Sequence, residues 1–325
     1  MKYEMQTDKP LRDLNDQGEN HDMWNTELDS MRKKEVTWYK AAWLFVECYL
    51  YRRIAGSFVK TSTLTRFDPF TTQKQNITLW GNKCDLSLSG GTSVGRLGSP
   101  LELVDQLVAK ILVNDIDEAV KLINAADPRR IDIALDNAGL ELFEDLLFGD
   151  FLIQSKKVDK VIFHGKSIPW FVSDVTNNDF FWLTEMLLQS HCEEVKSLCL
   201  RWKEHLEAGA FKFQAHSFWT TPFDYSLMSK YAPELYEDLS LSSLIVFKGD
   251  LHYRKLTGDR SWPLDFSFTE ALRGFHPAPL LALRTLKAET QVGLRREVIE
   301  RMQKDYNGKK EWMVTGEYAV AQLSK

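Results

Sequence analysis

From residue 131 onward, short apolar runs alternate with long amphipathic segments, and this alternation restricts the fold more than any other feature of the sequence. Four runs predict buried strands: IDIAL (131–135), VDKVIFH (158–164), SSLIVFK (242–248) and PLLALRT (279–285). The segments between them predict helices: ELFEDLLFGDFLIQS, DFFWLTEMLLQS and EEVKSLCLRWKEHLE. Strands that alternate with helices are typical of a largely parallel sheet that helices cover on both faces. The sequence therefore predicts an α/β fold for residues 127–325.

Residues 1–126 have a different character and predict a mainly helical N-terminal part. The polar residues 1–30 indicate a mobile arm or the remnant of a longer N-terminal unit. The spacing of apolar residues between positions 38 and 58 indicates a helix that packs on the core. The stretch 86–99 is rich in Ser and Gly, which predicts a flexible loop. Two further helices are expected in residues 101–126, with the sequences LELVDQLVAKILV and IDEAVKLINAA.

Composition and charge exclude several classes of protein. The chain has 41 basic and 46 acidic residues, and its net charge of −5 gives no overall field that would attract nucleic acid. Its four cysteines include no C-x-x-C pair, which fits a reducing compartment. The N-terminus has no apolar signal region, and the most apolar run, 41–51, is short and interrupted by Glu47. We therefore expect a soluble protein of the cytoplasm, with the nucleus as a second compartment and no membrane partner.

Acidic and amide side chains follow two of the predicted strands. Asp136 and Asn137 come directly after IDIAL, and Asp174 ends the segment PWFVSD that follows the second strand. Ligands of parallel sheets gather beyond the carboxyl ends of the strands. A helix N-cap or a turn uses the same residue types, so the residues alone leave both interpretations open. If the side chains converge, two carboxylates and an amide oxygen suit Mg²⁺ or Mn²⁺ better than a closed zinc site.

Cationic side chains follow the other two predicted strands. Lys248 and Arg254 lie in the segment that also contains Asp250. Arg284 lies in the fourth predicted strand, and Lys287 follows that strand. Such charges are usually part of a solvated surface. Here they stand between apolar strand residues and a glycine, where two cations beside a divalent ion would form a phosphate clamp.

Other catalytic motifs do not compete with this interpretation. Gly165-Lys166-Ser167 is not the end of a P-loop, because the upstream glycine is replaced by Lys160. The sequence contains no G-x-G-x-x-G fingerprint of a dinucleotide site and no H-E-x-x-H zinc motif.

Five separated segments closely resemble the damage-control phosphatase family, a former family of unknown function. They are LWGNKCDLSLSGG (79–91), LDNAGLELFEDLLFGDFLI (135–153), SIPWFVSDV (167–175), FKGDLHYRKLTGDR (247–260) and FHPAPLLALRTLKAETQVGL (275–294). The R-T-x-K signature at 284–287 resembles the subgroup that is also called acidic-residue, or protein-glutamate, methyltransferase. The resemblance implies a Rossmann-like α/β/α sandwich, a helical N-terminal part that is longer in the family, and a divalent cation. That cation is typically Mn²⁺ or Ni²⁺, with Mg²⁺ or Co²⁺ as alternatives.

The resemblance also implies roles for individual residues. It assigns the metal to Asp136, Asn137 and Asp174, and it assigns S-adenosylmethionine or substrate contact to Glu141. It implies a substrate-phosphate segment made of Asp250, Leu251, His252, Tyr253 and Arg254. His252 departs from the family pattern, which has Asn at this position. Lys287 matches the substrate lysine of the R-T-x-K motif.

Two classes of function follow from the residues and the resemblance. The first is a metal-dependent phosphatase of sugar phosphates such as fructose 1-phosphate and fructose 6-phosphate, in which Asp136 or Asp174 orients water or acts as nucleophile. The second transfers a methyl group from S-adenosylmethionine to protein glutamates, with a protein as substrate. The phosphatase is favoured, because methyl transfer gives no role to a hard-cation site and no Gly-rich nucleotide loop follows an early strand.

Overall fold

A seven-stranded, mostly parallel sheet forms the centre of the protein. The computed structural model describes residues 1–61, 63–65, 67–74, 107–125 and 129–325. The strands are β1 (Ile111–Asn114), β2 (Arg130–Ala134), β3 (Lys160–Gly165), β4 (Phe211–Ala215), β5 (Leu244–Lys248), β6 (Leu280–Thr285) and β7 (Ala319–Ser324). Their spatial order is β1-β7-β6-β5-β2-β3-β4. Strands β2 to β6 all run in one direction, whereas β7 pairs antiparallel to β6 and parallel to β1.

Helices cover both faces of this sheet. They are α1 (Lys2–Gln6), α2 (His21–Arg32), α3 (Trp43–Val59), α4 (Ile116–Asn124), α5 (Leu140–Gln154), α6 (Asn177–Leu187), α7 (Glu193–Glu207), α8 (Met228–Tyr231), α9 (Pro233–Leu239), α10 (Gly249–Thr257), α11 (Phe268–Ala271) and α12 (Arg296–Asp305). Alternate residues of a strand point to opposite faces, and β5 illustrates this. Ile245 and Phe247 belong to the hydrophobic cluster on one face of the sheet, and Leu244 and Val246 belong to a second cluster on the opposite face. The predicted α/β class is confirmed.

The four predicted strands are present close to their predicted bounds, and three further strands were not predicted. β1 occupies residues at the end of a segment for which the sequence predicted a helix, 101–113, so that prediction is wrong at its C-terminal end. Four residues are too few to establish a period of their own, and pairing with β7 supplies the hydrogen bonds that decide their conformation. The flexible loop predicted at 86–99 lies outside the described residues.

The prediction of a mobile arm at residues 1–30 is wrong. Helix α2 buries Trp24 and Leu28 completely, and Leu11 and Leu14 before it are also buried. These side chains pack with α3 in a third hydrophobic cluster. A few large apolar residues therefore hold this segment in place although most of its residues are polar, since burying each one stabilises by about 1.5–3 kcal/mol.

The N-terminal part packs directly on the α/β part. Its hydrophobic cluster includes Trp170 from the segment after β3 and Leu251 from α10. In addition, β1 and α4 precede residue 127 but belong to the sheet and its covering layer. The sheet thus extends across the boundary predicted between residues 126 and 127. None of the helices in the described ranges is long and apolar enough to cross a membrane.

Candidate active site

Backbone hydrogen bonds join the segments that follow β2 and β3. The Val175 amide donates to the Asp136 carbonyl at 2.9 Å, and the Ala138 amide donates to the Ser173 carbonyl at 2.8 Å. An isolated antiparallel bridge pairs Asn137 with Asp174. Two segments far apart in sequence are held side by side in this way. The three predicted metal ligands, Asp136, Asn137 and Asp174, are therefore neighbours at the carboxyl edge of the sheet.

The segment that presents Asp174 has an unusual backbone conformation. Phe171 and Val172 have φ angles of 43° and 66°, in the left-handed region that β-branched residues rarely adopt. The Phe171 ring stacks on Tyr51 of α3 with ring centroids 4.8 Å apart. Trp170 is fully buried in the N-terminal cluster. Packing against the N-terminal helix thus holds a turn that would otherwise be unfavourable, and this turn positions Asp174.

Asn137 connects the acidic side chains by hydrogen bonds. Its amide nitrogen donates to an Asp136 oxygen at 2.9 Å and to a Glu141 oxygen at 2.8 Å. Its amide oxygen accepts from the Ser173 hydroxyl at 2.6 Å. These bonds fix which atom of the amide is the oxygen, and that oxygen retains a second lone pair. The amide is therefore oriented as a metal ligand requires.

The carboxylates are crowded in a way that favours a bound cation. Burial raises the pKa of Asp136 well above its usual range, the charges of Glu141 and Asp174 add to this, and Lys166 and Lys287 oppose it only in part. Burial also raises the pKa of Asp174, although the Lys166 ammonium lies 3.2 Å from its Oδ2 atom. A divalent cation would neutralise this excess of negative charge.

The donor atoms fit a hard cation. Within the described ranges, no three His, Cys, Asp or Glu side chains are grouped as a metal site. The candidate site therefore relies on the Asn137 oxygen together with the carboxylates of Asp136 and Asp174. Oxygen donors of this kind suit Mg²⁺ or Mn²⁺, and three protein ligands leave room for water and substrate.

A cavity of about 730 Å³ opens beside these residues. Of the residues predicted for the site, those that line it are Asp136, Asn137, Glu141, Asp174, Asp250, Leu251, Arg254 and Lys287. His252 and Tyr253 do not line it. The reason is that Gly249–Thr257 forms helix α10, where positions 250 and 254 share a face and 252 lies on the opposite one.

His252 and Tyr253 have partners inside the protein. His252 Nδ1 lies 2.6 Å from the Tyr225 hydroxyl, and burial together with the Lys166 charge lowers the pKa of His252 well below its usual range. The Tyr253 hydroxyl donates to Gln322 at 2.8 Å. These contacts indicate that the two side chains support helix α10 from within the fold.

Most cations around the cavity already have anionic partners. Lys248 lies 2.6 Å from Asp145 and 3.0 Å from Glu141. Burial acts to raise the pKa of Glu141, but Lys248 and Asn137 more than offset it, so this pKa is lowered. Arg284 is fully buried and donates to Asp250 at 2.7 Å. These contacts fix the rim of the cavity.

Lys287 differs from the other cations of the rim. Its backbone amide donates to Asp250 Oδ1 at 3.1 Å, which holds the residue at the end of β6. Its side chain is exposed and has no hydrogen bond or ion pair with the described residues. An ammonium group in this position is available to an incoming anion.

Comparison with known proteins identifies the family. A family model for the damage-control phosphatase ARMT1-like domain matches residues 75–302. The chain belongs to this family. The proteins named damage-control phosphatase ARMT1 of Xenopus laevis and Bos taurus are 37% and 39% identical to this chain, and the alignments cover 100% and 99% of this chain and 85% of each relative. The resemblance seen in the five sequence segments is confirmed.

The human protein of the same name is 37% identical over 99% of this chain and 84% of its own length. A solved structure of a DUF89 family protein from Pyrococcus horikoshii aligns with 80% of this chain and 73% of its own, with 16% identity and a TM-score of 0.37. The family model and the names of the Xenopus laevis, Bos taurus and human relatives place the chain among the damage-control phosphatases.

Sequence reasoning missed three residues of this damage-control phosphatase site. Lys166 is 1% exposed and lies against Asp174, although the segment around it was considered only as a P-loop. Ser173 orients the Asn137 amide, and Glu47 reaches the cavity from α3. Glu47 gave a signal, since it interrupts the most apolar run of the sequence, whereas Ser173 gave none.

Gly249 is required where β5 enters α10. Its φ angle is +86°, and a Cβ atom at this position would stand 2.0 Å from an Asp136 carboxylate oxygen. Any side chain would therefore displace a candidate metal ligand as well as strain the backbone. This close approach requires glycine at the position that follows Lys248.

We expect Gly249→Ala to impair metal binding through displacement of Asp136. Gly274 provides a matched control, because its φ angle is also +86° but a Cβ atom there would meet nothing within 4 Å. Both variants should lose about 1–2 kcal/mol of stability through backbone strain. Only Gly249→Ala should lose metal affinity, by about fivefold or more, since 1 kcal/mol corresponds to roughly this factor. Calorimetric titration of both variants with Mn²⁺ measures this difference. Equal Mn²⁺ affinities in the two variants would contradict the assignment of Asp136 as a metal ligand.

Proposed function

We propose that this chain is a metal-dependent phosphatase that hydrolyses sugar phosphates such as fructose 1-phosphate and fructose 6-phosphate. The observation that carries this proposal is the convergence of Asp136, Asn137 and Asp174 on one cavity that Lys287 also lines. Oxygen donors for a hard cation and a free ammonium group are the two requirements for binding a phosphoryl group. The family name of the relatives supports the same chemistry.

In this proposal each part of the rim has a defined role. Asp136, Asn137 and Asp174 hold the cation, for which Mn²⁺ or Ni²⁺ is the first candidate and Mg²⁺ or Co²⁺ the alternative. When bound, a divalent cation supplies positive charge that stabilises the phosphoryl group during transfer. Lys287 binds a phosphate oxygen, and the N-terminus of α10 at Gly249 directs its backbone dipole toward the same region.

Asp136 and Asp174 are also the candidates for the catalytic step itself. Either carboxylate could orient the attacking water or attack the phosphorus as nucleophile. Asp174 is 2% exposed and is held by the adjacent Lys166, whereas Asp136 is partly buried and meets Asn137 and Gly249. Asp136 is thus the more accessible of the two. A covalent phosphoryl-enzyme, trapped by rapid quench and located by mass spectrometry, would distinguish nucleophilic attack from water orientation.

Arg254 was expected to share the phosphate with Lys287, and its contacts argue for a different role. Its guanidinium donates to Asp259 at 3.0 Å and to Glu47 at 2.7 Å. Two carboxylates on one guanidinium leave little positive charge for a phosphate. We therefore assign the phosphate to Lys287 and the cation alone.

A substrate panel tests the proposed function. The Mn²⁺-loaded protein is expected to release phosphate from fructose 1-phosphate and fructose 6-phosphate with higher kcat/KM than from glycerol phosphate. Uniform turnover of all three esters would contradict a sugar-phosphate specificity. No release from any of them with any of the four metals would contradict the phosphatase assignment for these substrates.

The alternative function, methyl transfer from S-adenosylmethionine, gives a separate prediction. The sequence has no G-x-G-x-x-G nucleotide loop to receive this cofactor. Phosphate release should therefore be unchanged by added S-adenosylmethionine, and calorimetry should detect weak binding or none. Tight binding that does not require metal and is lost in Glu141→Ala would instead favour methyl transfer.

A further inference from the structure

Glu47 brings a carboxylate from the N-terminal helix α3 to the wall of the cavity. Its neighbours in the helix, Phe45, Val46, Cys48 and Tyr49, are all buried. The Glu47 side chain is 23% exposed. A charged side chain within such an apolar run costs stability unless it is paired or bound. Its position at a ligand cavity suggests that part of this cost is offset by a function.

Arg254 holds Glu47 in a fixed orientation. Arg254 Nη1 donates to Glu47 Oε2 at 2.7 Å, and the other edge of the same guanidinium donates to both oxygens of Asp259, at 3.0 and 3.1 Å. Arg254 itself is only 7% exposed. The guanidinium is therefore fixed by Asp259 and fixes Glu47 in turn. Glu47 Oε1 has no hydrogen bond with the described residues.

This edge of the cavity is unsuited to phosphate and suited to hydroxyl groups. Glu47 and Asp259 together carry more negative charge than Arg254 neutralises, so a second anion would be repelled. Burial raises the pKa of Glu47, and Arg254 opposes this only in part. The guanidinium donates to Oε2 alone, so Oε1 has no hydrogen-bond donor among the described residues. A hydroxyl group would supply such a donor to the free oxygen.

We propose that Glu47 is a specificity-determining residue whose Oε1 atom accepts a hydrogen bond from a hydroxyl group of the substrate's organic portion. The site then favours phosphate esters of polyols over esters that lack hydroxyl groups. The phosphate lies against Lys287 and the cation, and the hydroxyl-bearing portion extends to Glu47, which Arg254 holds one turn of α10 beyond Asp250. This inference rests on the proposed phosphatase function and deepens it.

The test compares two esters in the Mn²⁺-loaded protein: fructose 1-phosphate and para-nitrophenyl phosphate, which has no hydroxyl group. Glu47→Gln keeps the shape of the side chain and an oxygen for Arg254 but removes the charge. Glu47→Gln should lower kcat/KM for fructose 1-phosphate about 10-fold, chiefly through a higher KM. The same variant should change kcat/KM for para-nitrophenyl phosphate less than about twofold. Glu4→Gln is the matched control, because Glu4 pairs with the buried Arg53 in the same way but does not line the cavity. Its ratio of the two kcat/KM values should equal that of wild type.

The outcomes separate this inference from the proposed function. An equal loss for both esters in Glu47→Gln would mean that Glu47 only connects α3 to Arg254, and no loss would place it outside substrate contact. Either result overturns the inference while leaving the phosphatase assignment intact. If the wild-type protein hydrolyses neither ester with any of the four metals, the proposed function itself fails. Melting temperatures of both variants within a few degrees of wild type show that the comparison concerns folded protein.

Discussion

Asp136→Asn and Asp174→Asn are each expected to reduce turnover below about one tenth of the wild-type value at saturating metal. Each change removes one charged ligand while keeping the side-chain size and one oxygen. A hydrogen bond or contact to a charged group is worth roughly 1.5–3 kcal/mol, and 1.4 kcal/mol is already a factor of ten. Phosphate release from fructose 1-phosphate measures the effect. Turnover above one tenth in either variant would show that the carboxylate is not a ligand.

Stability measurements distinguish loss of the site from loss of the fold. Because burial and neighbouring carboxylates raise the pKa of Asp136, its ionised form destabilises the metal-free folded protein at neutral pH. Asp136→Asn should therefore not lower the melting temperature of metal-free protein at pH 7. Asp238→Asn is the control for activity: this aspartate pairs with Arg130 at 3.1 Å, does not line the cavity, and should retain full turnover.

Lys287→Met is expected to lower kcat/KM about 10- to 150-fold, the equivalent of a charge-assisted contact worth roughly 1.5–3 kcal/mol. Methionine retains much of the stem volume and deletes the charge. Since the Lys287 side chain has no partner among the described residues, the loss can be attributed to substrate. Lys287→Arg should recover only part of it, because a planar guanidinium cannot occupy the place of a compact ammonium.

Metal affinity provides the control for Lys287. Without substrate, Lys287→Met should bind Mn²⁺ as wild type does, unlike the Asp136 and Asp174 variants. An equal loss of metal affinity would mean that the lysine supports the rim structurally. An unchanged kcat/KM would place Lys287 outside the site.

Four central strands were predictable from the sequence, whereas the edge strands β1 and β4 and the internal strand β7 were not. β2, β3 and β5 are covered on both faces and therefore appear as continuous apolar runs. β4 lies at one edge of the sheet and has the sequence FKFQA, with Lys212 exposed. β1 lies at the other edge and contains only four residues. Short or partly polar strands take their conformation from the neighbour with which they pair, and that neighbour is not local in sequence.

The candidate site was predictable at the strand ends and less so elsewhere. Asp136, Asn137 and Asp174 could be placed together because the carboxyl ends of parallel strands share one edge. The sequence segment 250–254 was treated as one unit, but a helix turns about 100° per residue and directs His252 away from the cavity. Glu47 comes from a separate helical layer, whose docking no local pattern encodes.

The most direct test of the account is a metal add-back assay on the purified wild-type protein. Chelator-treated protein should release no phosphate from fructose 1-phosphate or fructose 6-phosphate. Addition of Mn²⁺, Ni²⁺, Co²⁺ or Mg²⁺ should restore release, with Mn²⁺ or Ni²⁺ most effective, and Asp136→Asn should remain inactive with all four. Full release by the metal-free protein would contradict a metal-dependent mechanism at Asp136, Asn137 and Asp174.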